Sequence, residues 1–236
     1  MEPLGIISGT IILQRKSIFN NLKEKTVENE FGKIHVFHSE TIVYVPRHGK
    51  DHRHYILPHL INHQANFKAL KDLGVKEVIG INSTGSLKRK LRPGTIVVPN
   101  DFIGFTATST TAYGKPIHIT PVISEEIRKK LIKAANECGV KAVNGGVYWQ
   151  TPGPRLETKA EIAMMSRFAD LVGMTMASEA AVAQELDLAY AALCSVDNYG
   201  HGLGEKELTI DEIVTHARKN ANIIVKVVAR YLERRR

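Results

Sequence analysis

The sequence contains little cysteine and no long apolar run. The two cysteines, Cys138 and Cys194, lie far apart and form no Cys-x-x-Cys pair, so neither a metal site nor a disulfide framework is expected. Each is instead expected to be a small buried hydrophobic residue. No apolar stretch approaches the length of a membrane span, and no charged n-region precedes a long apolar segment at the amino terminus. These absences predict a cytoplasmic protein with no membrane partner.

The chain also lacks the two commonest nucleotide-binding loops. It contains neither the Gly-x-x-x-x-Gly-Lys-Ser/Thr pattern that cradles nucleotide phosphates nor the Gly-x-Gly-x-x-Gly fingerprint of dinucleotide sites. Hydrolysis of nucleoside triphosphates and use of a dinucleotide cofactor are therefore not indicated.

Negative charge is in the minority, since the formal net charge is +8. Such an excess fits binding of nucleic acid or of a small anionic substrate. Part of it lies in the tail from Arg230 to Arg236, which is expected to be the solvated end of a helix. Because no long basic tract is interleaved with aromatic residues, we favour an enzyme for an anionic substrate and expect no nucleic-acid partner.

What the chain does contain is a regular alternation of strand-like and helical segments. Apolar runs predict strands at 4–7, 31–37, 41–45, 78–81, 95–99, 146–150, 171–174 and 190–196. Helical periodicity predicts helices at 61–74, 124–139, 157–168, 179–186 and 210–235, the second capped by Ser124. This order predicts an α/β fold, a single domain over residues 1–236 with a central mixed β-sheet flanked by helices.

Polar residues follow several of the predicted strands. They are Thr10, Arg47-His48-Gly49, Asn82-Ser83-Thr84-Gly85, Thr175 and Asp197-Asn198-Tyr199-Gly200. In open α/β sheets, ligands bind beyond the carboxyl ends of the strands. Hydroxyl groups, backbone amides, a guanidinium and an imidazole together suit a phosphate dianion. The pattern therefore predicts a phosphate site at this edge of the sheet.

A set of short motifs runs through the chain in a fixed order. They are Arg47-His48-Gly49-Lys50-Asp51-His52, Pro58, Asn62, Gln64-Ala65-Asn66, Gly85-Ser86-Leu87, Pro93-Gly94, Gly153-Pro154-Arg155, Ala160-Glu161 and Val172-Gly173-Met174-Thr175. In this order they resemble the methylthioadenosine phosphorylase branch of the trimeric purine nucleoside phosphorylases, from Gly5 to about Asn222. The resemblance implies a nucleoside phosphorylase-like fold and a homotrimer or homohexamer. It also implies reversible phosphorolysis with inorganic phosphate as co-substrate and with no metal or organic cofactor.

The resemblance also implies residue roles. Phosphate binding falls to Thr10, Arg47, His48, Ser83 through its backbone, and Thr175. Met174 matches a residue that lies against the ribose, and His52 matches a position near the 5′ substituent. His118 resembles a histidine that a neighbouring subunit contributes to the same pocket.

Two positions concern the purine base. Glu157 stands where the adenine-specific branch has a serine, and Asn198 stands where that branch has an aspartate. A carboxylate accepts a hydrogen bond from the ring N–H beside the 6-oxo group, whereas adenine presents a lone pair there. Glutamate and asparagine at these two positions therefore resemble the pattern of the 6-oxopurine phosphorylases. The resemblance implies that Asn198, Glu157 and His48 are the catalytic residues. Two alternatives stay open: Glu157 as a helix cap assisted by Thr158, and Asp197 as the base contact.

The expected function is thus phosphorolysis of inosine, guanosine or S-methyl-5′-thioinosine in purine salvage. The chain most resembles S-methyl-5′-thioinosine phosphorylases, but a 5′ hydroxyl or a methylthio group is compatible with it. One alternative is an S-methyl-5′-thioadenosine phosphorylase, and a non-enzymatic alternative is a nucleotide- or RNA-binding module. A nucleoside hydrolase would need an aspartate cluster near the amino terminus, which the chain lacks.

The chain departs from the family pattern at four positions. Ser8 and Ile11 replace glycines, His63 replaces a tyrosine and Ser178 replaces a proline before Glu179.

Overall fold

The mixed sheet and its flanking helices confirm the predicted α/β class. A computed structural model describes residues 2–9, 19, 21–50, 55–106, 109–112, 116–204 and 209–235. Within these ranges the strands are β1 (Leu4–Ser8), β2 (Lys23–Asn29), β3 (Gly32–His38), β4 (Ile42–Pro46), β5 (Glu77–Ser86), β6 (Ile96–Val98), β7 (Asp101–Ile103), β8 (Val143–Asn144), β9 (Val147–Gln150), β10 (Leu171–Gly173) and β11 (Ala189–Tyr199). The α-helices are α1 (His63–Asp72), α2 (Glu125–Glu137), α3 (Lys159–Met165), α4 (Met176–Glu185) and α5 (Ile210–Glu233). All eleven strands join one sheet.

Strand β5 is the centre of the sheet and has three neighbours. On one edge it pairs in parallel with β11 along its whole length. On the other edge β1 pairs in parallel as far as Ile81, and the antiparallel β10 takes over at Gly85. No described strand pairs with residues 82–84 on this second edge. The change of neighbour therefore leaves a gap at the kind of position where α/β sheets bind ligands.

The core strands are buried because helices cover the sheet. Strands β1 and β4 each consist of five consecutive buried residues, a pattern typical of strands covered on both faces. Helices α1 and α2 begin at side-chain caps: Asn62 accepts from the Ala65 amide, and Ser124 accepts from the Ile127 amide as predicted. Cys194 is buried as expected, whereas Cys138 is partly exposed.

The exposed strand β2 was not predicted. Its sequence, Lys-Glu-Lys-Thr-Val-Glu-Asn, is polar, yet it pairs with β3 over seven residues at the edge of the sheet. Edge strands commonly carry charges, which is why hydrophobicity alone does not reveal them. Strand β3 also pairs with β4, but only through Phe37 with Tyr44 and His38 with Val43.

The basic residues at the end of α5 form ion pairs. Arg230 and Arg234 lie at the surface, as expected for the solvated end of a helix, and both pair with Glu137 of α2, whereas the more covered Arg235 pairs with Glu77 of β5. The arginines therefore tie the last helix to its neighbours. No described helix, α5 included, is long and apolar enough to cross a membrane.

Candidate active site

A cavity of about 260 Å³ opens at the gap beside β5. It is lined by Gly9, Arg47, His48, Tyr55, Pro58, Ile81, Ser83, Thr84, Gly85, Leu156, Glu157, Val172, Gly173, Met174, Thr175, Asn198 and Ile213. Seven of these were assigned a role in the sequence analysis: Arg47, His48, Ser83, Glu157, Met174, Thr175 and Asn198. Residues far apart in the chain meet here because β1, β5, β10 and β11 all reach this region of the sheet.

A larger opening of about 420 Å³ lies at the end of α5. Its cationic side chains, Lys130, Arg234 and Arg235, each pair with a glutamate. Because these charges are already neutralised, we assign no ligand to this opening.

Arg47 is buried and is held by the ends of two strands. Its two terminal nitrogens donate to the carbonyl oxygens of Ile81 at 2.7 Å and Ile7 at 2.9 Å. Its Nε lies 2.6 Å from the Glu179 carboxylate, an ion contact rather than an aligned hydrogen bond. A guanidinium has five N–H groups, so one remains on each terminal nitrogen for an anion in the cavity.

Glu179 is the fully buried counter-charge of Arg47. Tyr190 donates its hydroxyl to the other carboxylate oxygen at 2.7 Å. Burial raises the pKa of Glu179 above its ordinary value, and the positive charge of Arg47 acts in the opposite direction. Gly80 is required beside this contact, since a Cβ there would lie 2.1 Å from the Tyr190 hydroxyl. The sequence analysis missed this role of Glu179, although a glutamate flanked by apolar residues, as in Ala177-Ser178-Glu179-Ala180-Ala181, is a signal for a paired charge.

His48 faces the cavity as a neutral imidazole. Its Nδ1 lies 2.8 Å from the carbonyl oxygen of Ile56, and its ring stacks on Tyr55 with 4.7 Å between the centroids. Burial, and then the charge of Arg47, lower the pKa of His48 to about 4. Since a carbonyl only accepts, Nδ1 carries the proton and Nε2 is left as an acceptor. His48 is therefore suited to a protonated oxygen, such as a phosphate or sugar hydroxyl.

Thr175 presents a hydroxyl donor at the start of α4. Asn82 donates its amide to the Thr175 oxygen at 2.8 Å, which leaves the threonine hydrogen free to point elsewhere. The Thr175 amide is held by the Tyr148 hydroxyl at 3.2 Å. Ser83 lines the cavity from the unpaired edge of β5. These groups converge from two elements on one side of the site.

A β-bulge separates the two candidate base contacts. In the pairing of β11 with β5, Val196 lies opposite Thr84 and Asn198 opposite Gly85, so Asp197 is the extra residue. Asn198 lines the cavity, and its Nδ2 donates to the Tyr199 carbonyl at 2.8 Å.

Asp197 is fully buried behind the cavity. It accepts from Asn220 at 2.7 Å and from Ser195 at 3.0 Å, and burial raises its pKa. It also accepts from the hydroxyl of Ser83, which lines the cavity. Asp197 therefore lies directly behind the lining without being part of it, and its contact with the base stays a prediction.

Glu157 also faces the cavity and is not a helix cap. Thr151 donates its hydroxyl to the Glu157 Oε1 at 2.7 Å. Thr158 caps α3 by accepting from the Glu161 amide, and Glu161 returns a bond to the Thr158 amide, which is a capping box. The alternative that Glu157 caps this helix is therefore excluded by geometry.

Comparison with known proteins agrees with this arrangement. The family model described as "Phosphorylase superfamily" matches residues 3–233. The chain belongs to this superfamily. It is 42% identical over 230 residues to an Archaeoglobus fulgidus protein named "Probable 6-oxopurine nucleoside phosphorylase", covering 95% of this chain and 93% of that protein. It is 40% identical over 236 residues to a Methanocaldococcus jannaschii protein named "Probable S-methyl-5'-thioinosine phosphorylase", covering 97% and 91%.

A solved structure shares the superfamily fold. Methylthioadenosine phosphorylase from Schistosoma mansoni, in complex with tubercidin, aligns with a TM-score of 0.83 and 26% identity. The alignment covers 99% of this chain and 91% of that one. The predicted nucleoside phosphorylase-like architecture is thereby confirmed.

Some residues to which the resemblance assigns a role do not line the cavity, and others lie outside the part of the chain that the structure describes. Thr10, Ile11 and His52 lie outside the described residues. His118 is exposed and does not line the cavity of its own chain, so its contribution to a neighbouring subunit stays a prediction. The sequence analysis missed Tyr55 and Ile213 as lining residues, because no local motif links α5 to this end of the sheet.

Two of the residues that depart from the family pattern, Ser8 and Ser178, form hydrogen bonds with nearby side chains. Ser8 shares a hydrogen bond of 2.7 Å with the Tyr44 hydroxyl. Ser178 pairs twice with Gln150: its amide donates to Oε1 at 3.1 Å and its hydroxyl accepts from Nε2 at 2.7 Å, bonds that a proline could not make. His63 is buried with no partner for Nδ1 among the described residues, and burial lowers its pKa to about 3.

Substitution of Glu179 should lower the free energy of unfolding more than substitution of a glutamate that forms surface ion pairs. Glu179→Ala leaves Arg47 without its counter-charge and should cost about 3–5 kcal/mol of unfolding free energy. Glu137→Ala removes two ion pairs of α5 at the surface and should cost much less, because water screens those charges. Urea unfolding followed by circular dichroism measures both. Equal losses of unfolding free energy in the two variants would contradict the burial of the pair between Arg47 and Glu179.

Proposed function

We propose that this chain is a purine nucleoside phosphorylase for 6-oxopurine nucleosides. It transfers the ribosyl group of inosine, guanosine or S-methyl-5′-thioinosine to inorganic phosphate, reversibly, and releases the free base. The observation that carries the proposal is the pairing of two different sets of groups in one cavity: Arg47, His48 and Thr175 on one side, and Glu157 with Asn198 on the other. The names of the two archaeal relatives support the same class of substrate.

The first set suits phosphate. Arg47 has donors to spare, Thr175 has a free hydroxyl hydrogen, and the neutral His48 accepts from the protonated oxygen of hydrogen phosphate. The open edge of β5 at Ser83 adds backbone groups. Phosphate enters as co-substrate in this proposal, and no metal or organic cofactor takes part.

The second set suits a 6-oxopurine. The Glu157 carboxylate accepts from the ring N–H beside the 6-oxo group, and the Asn198 amide reaches the oxo group or the imidazole-ring nitrogen. Adenine would face Glu157 acceptor to acceptor. An unpaired buried polar group costs roughly 1–3 kcal/mol, which corresponds to about tenfold or more in discrimination.

The mechanism follows from this placement. As the glycosidic bond stretches, the ribose gains oxocarbenium character and the phosphate charge stabilises it. A phosphate oxygen bonds to the anomeric carbon as the bond to the base breaks. Asn198 and Glu157 hold the departing purine, whose added proton balances the one that hydrogen phosphate loses on forming the sugar phosphate. No covalent enzyme intermediate is required, because both reactants are held in one cavity and positioning supplies the rate gain.

A second candidate is an S-methyl-5′-thioadenosine phosphorylase, which the similarity to the Schistosoma mansoni enzyme favours. Glu157 argues against it for the reason given above. A role as an RNA-binding module is disfavoured, because the basic tail of α5 is already paired with glutamates.

Release of free base tests the proposal directly. The purified protein should release hypoxanthine from inosine and from S-methyl-5′-thioinosine only when phosphate is present, and should act slowly on adenosine and S-methyl-5′-thioadenosine. Chromatographic quantification of the base gives the rates, and the better 6-oxo substrate identifies the preferred 5′ group. Preferential release of adenine would overturn the base assignment, and release without phosphate would overturn phosphorolysis.

Asn198 and its neighbour Asp197 provide a matched pair of variants. Asn198→Ala should lower kcat by about 100-fold or more, since a residue that holds the departing base acts in the transition state. Asp197→Asn should change kcat less, because Asp197 does not line the cavity and its carboxylate bonds to Ser195, Asn220 and Ser83. Thermal unfolding checks that both variants are folded. Near-normal turnover of Asn198→Ala would remove this residue from the mechanism.

We further propose a cytoplasmic homotrimer or homohexamer in which His118 reaches the cavity of a neighbour. His118 is exposed, and the large apolar side chains of Phe105, Ile117 and Val122 are exposed at nearby positions in the chain. Exposed apolar groups of this size favour contact with another protein surface. Light scattering should give a mass that is a multiple of three subunits. A monomer with full activity would contradict the role of His118.

A further inference from the structure

We propose that Thr151 sets the preference for 6-oxopurines by orienting Glu157. This inference rests on the proposed function and adds a residue that no motif assigns. Thr151 is not among the residues that line the cavity, so it acts through Glu157 as a positioning residue.

The contact is short and is the main restraint on the carboxylate. Thr151 Oγ1 donates to Glu157 Oε1 at 2.7 Å. Among the described residues, no other hydrogen bond reaches this carboxylate. The neighbouring donors are already engaged, since Arg155 pairs with Glu161 at 2.7 Å and Thr158 caps α3. With Oε1 bonded to Thr151, Oε2 is the oxygen left for a ligand.

Thr151 is itself firmly placed. Its amide donates to the carbonyl oxygen of Gly173 in β10 at 2.9 Å. The preceding residue, Gln150, makes two side-chain bonds to Ser178 in α4. Thr151 is therefore fixed to the sheet and to the helix that begins at the phosphate side of the cavity. Glu157 lies six residues further on and takes its orientation from this fixed hydroxyl.

The bond from Thr151 to Glu157 affects the choice between hypoxanthine and adenine more than the affinity for purines in general. A carboxylate with one oxygen fixed keeps its second oxygen aimed as an acceptor, which matches the ring N–H of hypoxanthine and opposes the lone pair of adenine. Without the threonine hydroxyl, the carboxylate can turn away from either base. The favourable contact with hypoxanthine and the unfavourable one with adenine then weaken together.

The test compares Thr151→Val, which removes the hydroxyl at nearly constant shape, with Thr151→Ser, which keeps it. Calorimetry measures hypoxanthine and adenine binding, and kinetics give kcat/KM for inosine and adenosine together with the KM for phosphate. The valine variant should lose about tenfold in the hypoxanthine-to-adenine ratio, by analogy with loss of a hydrogen bond to a charged group. The serine variant should restore the ratio, and the KM for phosphate should stay unchanged in both.

Three outcomes would overturn the inference. In the first, the valine variant keeps the wild-type hypoxanthine-to-adenine ratio. In the second, it loses affinity for both bases equally and its KM for phosphate rises, which indicates general damage to the site. In the third, the serine variant fails to restore the ratio. If Thr151→Val does not fold, Thr151→Ala carries the same expectation. Wild-type protein that binds neither base would overturn the proposed function as well, whereas wild-type selectivity for hypoxanthine with an unaffected valine variant would overturn only the role of Thr151.

Discussion

The buried ion pair between Arg47 and Glu179 is the constraint on which the site depends. Two opposite charges are removed from water, and each is satisfied by groups that only the complete fold supplies: strand-end carbonyls for the guanidinium and a tyrosine hydroxyl for the carboxylate. A buried pair of this kind adds little stability compared with apolar packing, but it is costly to break. Its effect is to fix the position of a cation at the meeting point of β1, β5 and α4, in the lining of the cavity, with two guanidinium N–H groups not bonded by the described residues.

The second constraint is the change of neighbours along β5. The pairing with the parallel strand β1 ends at Ile81 and the pairing with the antiparallel strand β10 begins at Gly85, so no described strand pairs with the backbone between them on that edge. Opposite this gap, the bulge in β11 turns Asp197 towards α5 and Asn198 towards the cavity. Both features follow from hydrogen-bond pairing of the backbone. Together they place polar side chains from distant segments around one space.

Much of the fold could be predicted because local patterns agreed with the final structure. The apolar runs of β1, β4 and β5 and the Ser124 cap of α2 are determined by neighbouring residues. Strand β2 could not be predicted in this way, because its residues are exposed and its pairing with β3 provides the stabilisation. Contacts between distant residues also shift two boundaries. Helix α4 begins at Met176, three residues before the predicted start, where Ser178 bonds to Gln150, and β11 extends to Tyr199 rather than ending at Val196, because Asn198 and Tyr199 pair with β5.

The sequence by itself determined the class of fold, the family resemblance and most of the polar residues that line the cavity. Those inferences depend on residue types and their order, which are properties of the chain before it folds. Only the tertiary structure showed that Asn198 lines the cavity whereas Asp197 does not, that Thr158 rather than Glu157 caps α3, and that Thr151, Glu179 and Ile213 lie in or beside the site. These results depend on strand register and on contacts between residues distant in sequence, and such contacts form only when the whole sheet and its helices pack together.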